Sequence, residues 1–569
     1  MTRVSTHSGS RSKAFLTLLS LVVLFSAFFK IVDLDFWWHL KTGQIIVTEL
    51  QIPKEDIYSF TAAGREYIDH EWLFQAIQYT VYGWTGEAGV VLLKCGLIVL
   101  TYWITSSFLL QKGASFLFVS SVVFVSILAA RVRFIERPEI FTTLFLAILY
   151  LCLNRFLENR GKNQLLMIVP ILFLIWANIH AAVIIGLLLQ LFFIAGCLLE
   201  RIIARSSYPV FYGVSNRPLL LLMAVFVLSL LATAANPFGF RVLKVPFELT
   251  AIIDSGLLNN QEWQQPPVRA LPFFYLTLAG VFLVFLVHFR RLHLVNFLFA
   301  SFLGYISLKY VRNVGLFSML MPLLIAPYSE SLSVRLRSRR QWIATANLGL
   351  AAFLIYMIFH SYPYEFGLGA SSHFPKRLVD FVQSENLQGN MLNSYAFGGY
   401  LIWRLFPERK VFVDGRNEVY LPLLQRIVES RADNRRWNRL LQDYDIEYAL
   451  LNYVDDLEKV TIVDTTGREV ETYAPFSSTH FPRKDWALVY WDDNGMIFIR
   501  RRGSNAKLLH REYKSVFPEG KYYQKSLVEA GRIDRTAAIS ELKRRIQEDP
   551  SCRRARFLLE TTAESAEMP

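Results

Sequence analysis

The sequence predicts a polytopic α-helical membrane protein of about eleven spans, followed by an extracytoplasmic α/β domain and a short helical tail. Three observations predict it. Hydrophobic residues make up 53% of the 569 residues and charged residues only 19%, with a mean hydropathy of +0.31, a balance foreign to soluble multidomain enzymes. Apolar runs of near-spanning length recur from Phe15 to about His360. After residue 360 the composition turns polar and stays so. The expected division is therefore 1–360 for the membrane-embedded part, 361–505 for the α/β domain and 506–569 for the tail.

The first apolar run, 14–31, follows Arg3, Arg11 and Lys13 and has no small-residue cleavage site before Asp33. It reads as a retained span with a cytoplasmic N-terminus. Further spans are expected at 86–110, 115–131, 139–154, 164–178, 181–200, 218–236, 271–288, 294–309, 314–328 and 341–359. Lys and Arg are denser in the segments that this orientation puts inside, with Arg335, Arg337, Arg339 and Arg340 crowding one loop. An odd number of spans leaves the C-terminal part outside. Of the outer segments, 31–85 reads as two interfacial amphipathic helices, about 35–49 and 70–84, joined by a punctuated link. Segment 237–270 follows Asn236 into a turn at Pro237-Phe238-Gly239 and closes near Pro266-Pro267. Beyond 360, a short run at 389–394, a helix at 397–406, a strand at 410–414, a helix around 421–444 and a strand at 447–452 suggest a small α/β domain. Strands at 486–491 and 496–500 meet at Asp492-Asp493-Asn494-Gly495, a hairpin signal, and 523–562 reads as a helical pair broken at Asp549-Pro550.

Several function classes lose their support. The net charge of +13 is spread over short loops between apolar runs, which is not a nucleic-acid footprint. Cys95, Cys152 and Cys197 fall in expected spans and Cys552 in the tail, so neither a disulfide framework nor a zinc spacing exists. No nucleophile elbow, HExxH, Walker loop or dinucleotide fingerprint stands in a suitable strand-to-helix setting.

The informative charges lie just outside the spans. The stretch IVDLDFWWHLKTGQII packs Asp33, Asp35, two tryptophans and His39 into seven positions. A carboxylate beside a low-dielectric surface has its pKa pushed upward, which suits a base or a metal ligand; a helix cap with an interfacial anchor is the plainer alternative. His70 and Glu71 open the second expected interfacial helix, either as a further ligand or base or as charge matched to the helix dipole. Arg131, Arg133, Glu136, Arg137 and Glu139 crowd one short outer loop, where three arginines suit a phosphate. Lys309, Tyr310, Arg312 and Asn313, and Asn178 with His180, repeat the theme. Polar groups thus gather at one face and leave the spans nearly free of charge, against the midplane sites of ion-coupled transporters.

This pattern resembles the GT-C superfamily of membrane glycosyltransferases: an acidic pair directly after the first span, a long first outer loop, a second outer loop with acidic Glu136 and Glu139, and a soluble C-terminal domain. The runs DLDFWWHLKTG, HEWL, RPEIF, ANPFG and VFVDGRNEVY look like those of uncharacterised bacterial glycosyltransferase-like members. NSYAFGGY, 393–400 with Tyr395, is distantly similar to an acceptor-reading motif of oligosaccharyltransferase catalytic subunits but lacks its paired Trp and Asp. The resemblance implies transfer of a sugar from a polyprenyl-phosphate or diphosphate donor to a glycan, lipid or protein acceptor on the outer side of a bacterial inner membrane, in cell-envelope synthesis. Asp35 or Asp33 would be the catalytic base or metal ligand, and Glu136 or Glu139 the second-loop acid. Arg131, Arg133, Arg137, Lys309 and Arg312 would serve the donor phosphate. Asp35, His70 and Glu71 would be the ligands of a divalent cation, Mg2+ or Mn2+. His39, His70, Glu71, Tyr395, Asp414 and Arg416 are candidates for the acceptor or accessory roles; for Asp414 and Arg416 a local structural pair is the equal alternative. The rival expectations are a lipid or polysaccharide transporter and a membrane-anchored interaction protein acting through its C-terminal domain.

Overall fold

A computed structural model describes residues 9–158, 164–203, 211–213, 215–254, 256, 261–431, 433–453, 457–463, 469–520 and 522–564. The chain forms two compact units. The first comprises Met1–Phe36, Thr42–Ile52 and Ile68–Ser371; the second comprises Trp37–Lys41, Pro53–Tyr67 and Ser372–Pro569.

The first unit is helical. Its elements are α1 (Gly9–Ala27), α2 (Phe36–Glu49, part of which belongs to the second unit), α3 (Trp72–Gln111), α4 (Phe116–Ala130), α5 (Glu139–Glu158), α6 (Gln164–Ile179), α7 (Val183–Ile203), α8 (Asn216–Ala232), α9 (Val245–Asp254), α10 (Pro272–Val287), α11 (Leu294–Lys309), α12 (Val314–Ile325), α13 (Ser329–Arg335) and α14 (Arg340–His360). Among the described residues, seven helical stretches are long and apolar enough to cross a membrane, and α6, α8, α10 and α11 are shorter apolar helices. They fall where the apolar runs predicted spans. Every residue of α12 is buried, because this helix packs against α3, α4, α5, α10 and α11 and so forms the unit's centre. The helix expected over 70–84 and the span expected from 86 are both present within α3, which is two helices meeting at a kink where Gly86 leaves helical geometry (φ 65°, ψ −157°), a positive-φ backbone that suits glycine.

The second unit holds a four-stranded sheet of order β1-β2-β6-β5, with β1 (Asn390–Asn393) parallel to β2 (Ile446–Asn452) and the other pairs antiparallel. A separate hairpin pairs β3 (Leu457–Val463) with β4 (Glu469–Pro475). β5 (Trp486–Trp491) and β6 (Gly495–Arg500) form the predicted hairpin, its turn tied by the Asp492 carboxylate accepting from the backbone N–H groups of Asn494 and Gly495. Three expectations change. Segment 410–414 is no strand and makes a single bridge, Val411 to Ser59. The helix expected over 421–444 is two, Asn417–Arg431 and Asn434–Asp443, because Asp433 caps the second by accepting from the Arg435 N–H at 2.8 Å. The terminal pair is three helices, Tyr523–Glu529, Arg535–Glu548 and Arg553–Glu564.

NSYAFGGY and VFVDGRNEVY meet as one packed joint. Asn393 donates to the Val413 carbonyl and accepts from the Phe412 N–H. A Cβ on Gly398 would lie 2.3 Å from the Val413 carbonyl oxygen, so only glycine fits there. Beneath it the Arg416 guanidinium donates to Asp414 Oδ1 at 2.8 Å and Oδ2 at 2.6 Å and to Asp56 Oδ1 at 2.5 Å, while Tyr420 also donates to Asp414. The rings of Tyr58 and Tyr67 flank it, and all three charged side chains are sealed from solvent. Removing one partner of such a cluster strands the others. Arg416→Met is expected to destabilise the second unit by about 3–5 kcal/mol, with Asp56→Asn costing less, as read from denaturation midpoints.

Candidate functional site

The site is assembled in the first unit from three short non-helical pieces. Residues 28–35 leave α1 and are pinned by backbone bonds, Lys30 N–H to the Glu365 carbonyl and Ile31 N–H to that of Gly369, and by a Lys30–Glu365 ion pair at 2.7 Å. Residues 131–138 form a 3-10 turn and a bend between α4 and α5. Gln261–Trp263 is a 3-10 turn docked on 309–313: the Val311 N–H donates to the Gln264 carbonyl, and Trp263 lies edge-on to Tyr310. Burying charge here requires partners, and each piece supplies some.

Arg137 is the hub. Its Nε donates to Asp33 Oδ1 at 2.8 Å, its Nη2 to Asp35 Oδ2 at 2.8 Å, and its Nη1 to Glu262 Oε2 at 2.7 Å. Arg133 holds the other Glu262 oxygen at 2.9 Å and clasps Glu139. Asp35 does not act as a helix cap; its side chain makes no cap bond to α2 and turns to Arg137 instead. The Asp33 side chain is only 3% exposed, whereas that of Asp35 is 24% exposed, so Asp35 is the carboxylate a reactant can reach. Burial pushes the Asp33 carboxyl up to about 7; Arg137 opposes the rise, and the charges of Asp35 and Glu262 add to it. Its Oδ2 is buried without a hydrogen-bond partner among the described residues. Burial also works against ionisation of Glu262, but Arg137, Arg133 and Arg312 outweigh it and hold that carboxyl well below the usual range.

Asp33, Asp35, Glu139, Arg133 and Arg137 thus converge as one ionic network. Arg312 faces the same network, its charge acting on Glu262 and Glu139, while the other candidates make pairs of their own. Glu136 forms a buried pair with Lys94 at 2.7 Å, and Lys94 also donates to the Phe29 carbonyl at 2.9 Å. Arg131 donates to the Ser26 carbonyl and stacks between Phe29 and Tyr364. Lys309 pairs with exposed Asp254. Arg312 lies 4.3 Å over the Trp263 ring, and among the described residues no carboxylate pairs with it directly. His70 pairs with Glu71 at 3.4 Å; Glu71 also lies 3.9 Å from His180, whose Nδ1 hydrogen-bonds Thr142. In the second unit His39 stacks on Trp38, and Tyr395 donates to Asn417. Asp414 and Arg416 are the buried local pair described above.

Two participants escaped the sequence reading. Glu262 sits in the polar run NNQEWQQPP, where an acid beside a tryptophan at an outer edge is the one local sign of a role. Lys94 lies inside an expected span, and a lysine there should have signalled a buried partner.

No family model matches the chain, and no curated protein matches it. Solved structures do. An archaeal oligosaccharyltransferase, AglB from Archaeoglobus fulgidus in complex with an inhibitory peptide and a dolichol-phosphate, superposes with a TM-score of 0.56 over 95% of this chain and 86% of its own, at 11% identity. The chain shares the fold of this oligosaccharyltransferase. The apo oligosaccharyltransferase from the same organism gives 0.55 over 85% and 80%, and its complex with Zn and sulfate 0.52 over 98% and 86%, both at 11% identity. A metal of the kind in that last structure does not suit the residues here. Asp35 is tied to Arg137, while His70 and Glu71 are tied to each other, so the three do not form a ligand set, and among the described residues no group of three His, Cys, Asp or Glu could hold a metal ion.

The Asp33 environment has a measurable consequence. A carboxyl raised from its ordinary value near 4 to about 7 binds its proton more tightly when folded, so its contribution to stability is complete below about pH 4 and lost as pH rises through about 7. Asp33→Asn is expected to flatten the fall in melting temperature across that window relative to the unsubstituted protein in thermal scans.

Proposed function

We propose that the protein is a membrane glycosyltransferase that moves a sugar from a polyprenyl-phosphate or diphosphate carrier to an acceptor on the outer face of a bacterial inner membrane. The observation that carries this reading is the junction of Asp33 and Asp35 with Arg133, Arg137 and Glu139 on a GT-C fold. The neighbouring fold was solved with dolichol-phosphate and with peptide, which supports a lipid-linked donor and an outer acceptor.

In this mechanism Asp35, the open member of the pair, takes the proton of the acceptor nucleophile as that nucleophile bonds to the anomeric carbon. The bond from the anomeric carbon to the phosphate oxygen breaks, and the phosphate leaves with the electron pair. Arg133 and Arg137 are engaged with carboxylates, Arg131 with a carbonyl and rings, and Lys309 with Asp254. Arg312 stacks on the Trp263 ring and, among the described residues, makes no direct ion pair, which makes it the cation best able to meet the leaving phosphate. Arg137 positions both aspartates, and Asp33 lies behind Asp35.

The test is transfer from a synthetic polyprenyl-phosphate sugar to a membrane acceptor fraction, followed by release of polyprenyl phosphate. Asp35→Asn is expected to lower the rate about 100-fold or more, and Arg312→Ala to raise the donor KM with a smaller effect when donor is saturating. Full activity of the Asp35→Asn variant would remove the assignment.

A further inference from the structure

We infer that the Arg137 guanidinium takes the place of a divalent cation in this site, so that its central positive charge is built into the chain and is not an exchangeable metal. The inference draws on the glycosyl-transfer reading only for what that charge is used for; the charge arrangement itself rests on the geometry.

Three carboxylates from two separate chain segments turn toward one cation. Asp33 Oδ1, Asp35 Oδ2 and Glu262 Oε2 each lie 2.7 or 2.8 Å from an Arg137 nitrogen. A metal at the focus of these oxygens would need them about 2.0–2.2 Å from a single point. The planar guanidinium instead spaces them along its fork, Asp33 Oδ1 against Nε and Nη2, Asp35 Oδ2 against Nη2 and Glu262 Oε2 against Nη1. An ion bridging these three oxygens would have to displace that side chain, which is itself packed among its partners and only 16% exposed. The charge count agrees. Asp33, Asp35, Glu139 and Glu262 face Arg133 and Arg137 within one network. Without Arg137, these four carboxylates would outnumber Arg133 and Arg312, the cations that also face Glu139 and Glu262, which favours binding protons or gathering a cation.

The experiment uses the full chain in lipid nanodiscs, stripped with EDTA and titrated with MnCl2, with Mn2+ binding and melting temperature as readouts. The unsubstituted protein is expected to show no Mn2+ binding that depends on Asp35 and no rise in melting temperature. Arg137→Ala is expected to bind Mn2+ at least about tenfold more tightly and to melt higher when saturated. Arg137→Lys, which keeps the charge but not the fork, should lie between them. If Arg137→Ala does not fold, the unsubstituted protein decides alone. Saturable Mn2+ binding by the stripped protein, raising its melting temperature and abolished by Asp35→Asn, would overturn the inference. So would a folded Arg137→Ala variant with unchanged Mn2+ affinity. A failure of glycosyl transfer leaves both readouts intact, so the two ideas fall separately.

Discussion

The first unit depends on one guanidinium in the right place. Arg137 joins a segment that leaves α1, the bend before α5 and the 3-10 turn at Gln261–Trp263, three short pieces that lie outside the α-helices. Buried ion clusters contribute little net stability, since desolvation offsets much of the attraction. What they supply is position. With five donors in a rigid fork, arginine can hold three carboxylates at set spacings, which lysine, a point charge on a flexible stem, cannot.

The surrounding contacts make that position hold. Lys94 reaches from α3 to both the Phe29 carbonyl and Glu136, tying the aspartate segment to the arginine segment one residue before Arg137. The buried helix α12 lies behind them, and a Cβ on its Gly315 would come 2.7 Å from the Arg133 Cβ. A larger side chain there would displace Arg133 and, through Glu262, the hub. Packing and charge therefore specify one geometry together.

Much of this was legible in the residues. Apolar runs located the helices because a span must satisfy its backbone internally, and Asp492-Asp493-Asn494-Gly495 announced its hairpin through local turn chemistry. The acidic pair and the arginine-rich loop stood out because charge at a membrane edge is costly to keep. What the sequence could not convey was partnership across distance. Arg131, Arg133 and Arg137 look alike in one loop, yet Arg131 faces rings and a carbonyl, Arg133 links two glutamates, and Arg137 gathers the aspartates. Asp414 and Arg416 carried the same ambiguity, and only Asp56, far away in the chain, makes them a sealed structural cluster. Glu262 went unnoticed because nothing local marks an acid that is needed by arginines more than a hundred residues away.

If this network exists to transfer sugars from a lipid carrier, its loss has a signature in the cell. The most direct measurement is mass spectrometry of the lipid-linked sugars and envelope glycans of cells with and without the gene. The account predicts accumulation of one polyprenyl-linked sugar together with loss of that sugar from one glycan, lipid or protein. Unchanged pools of both would contradict it.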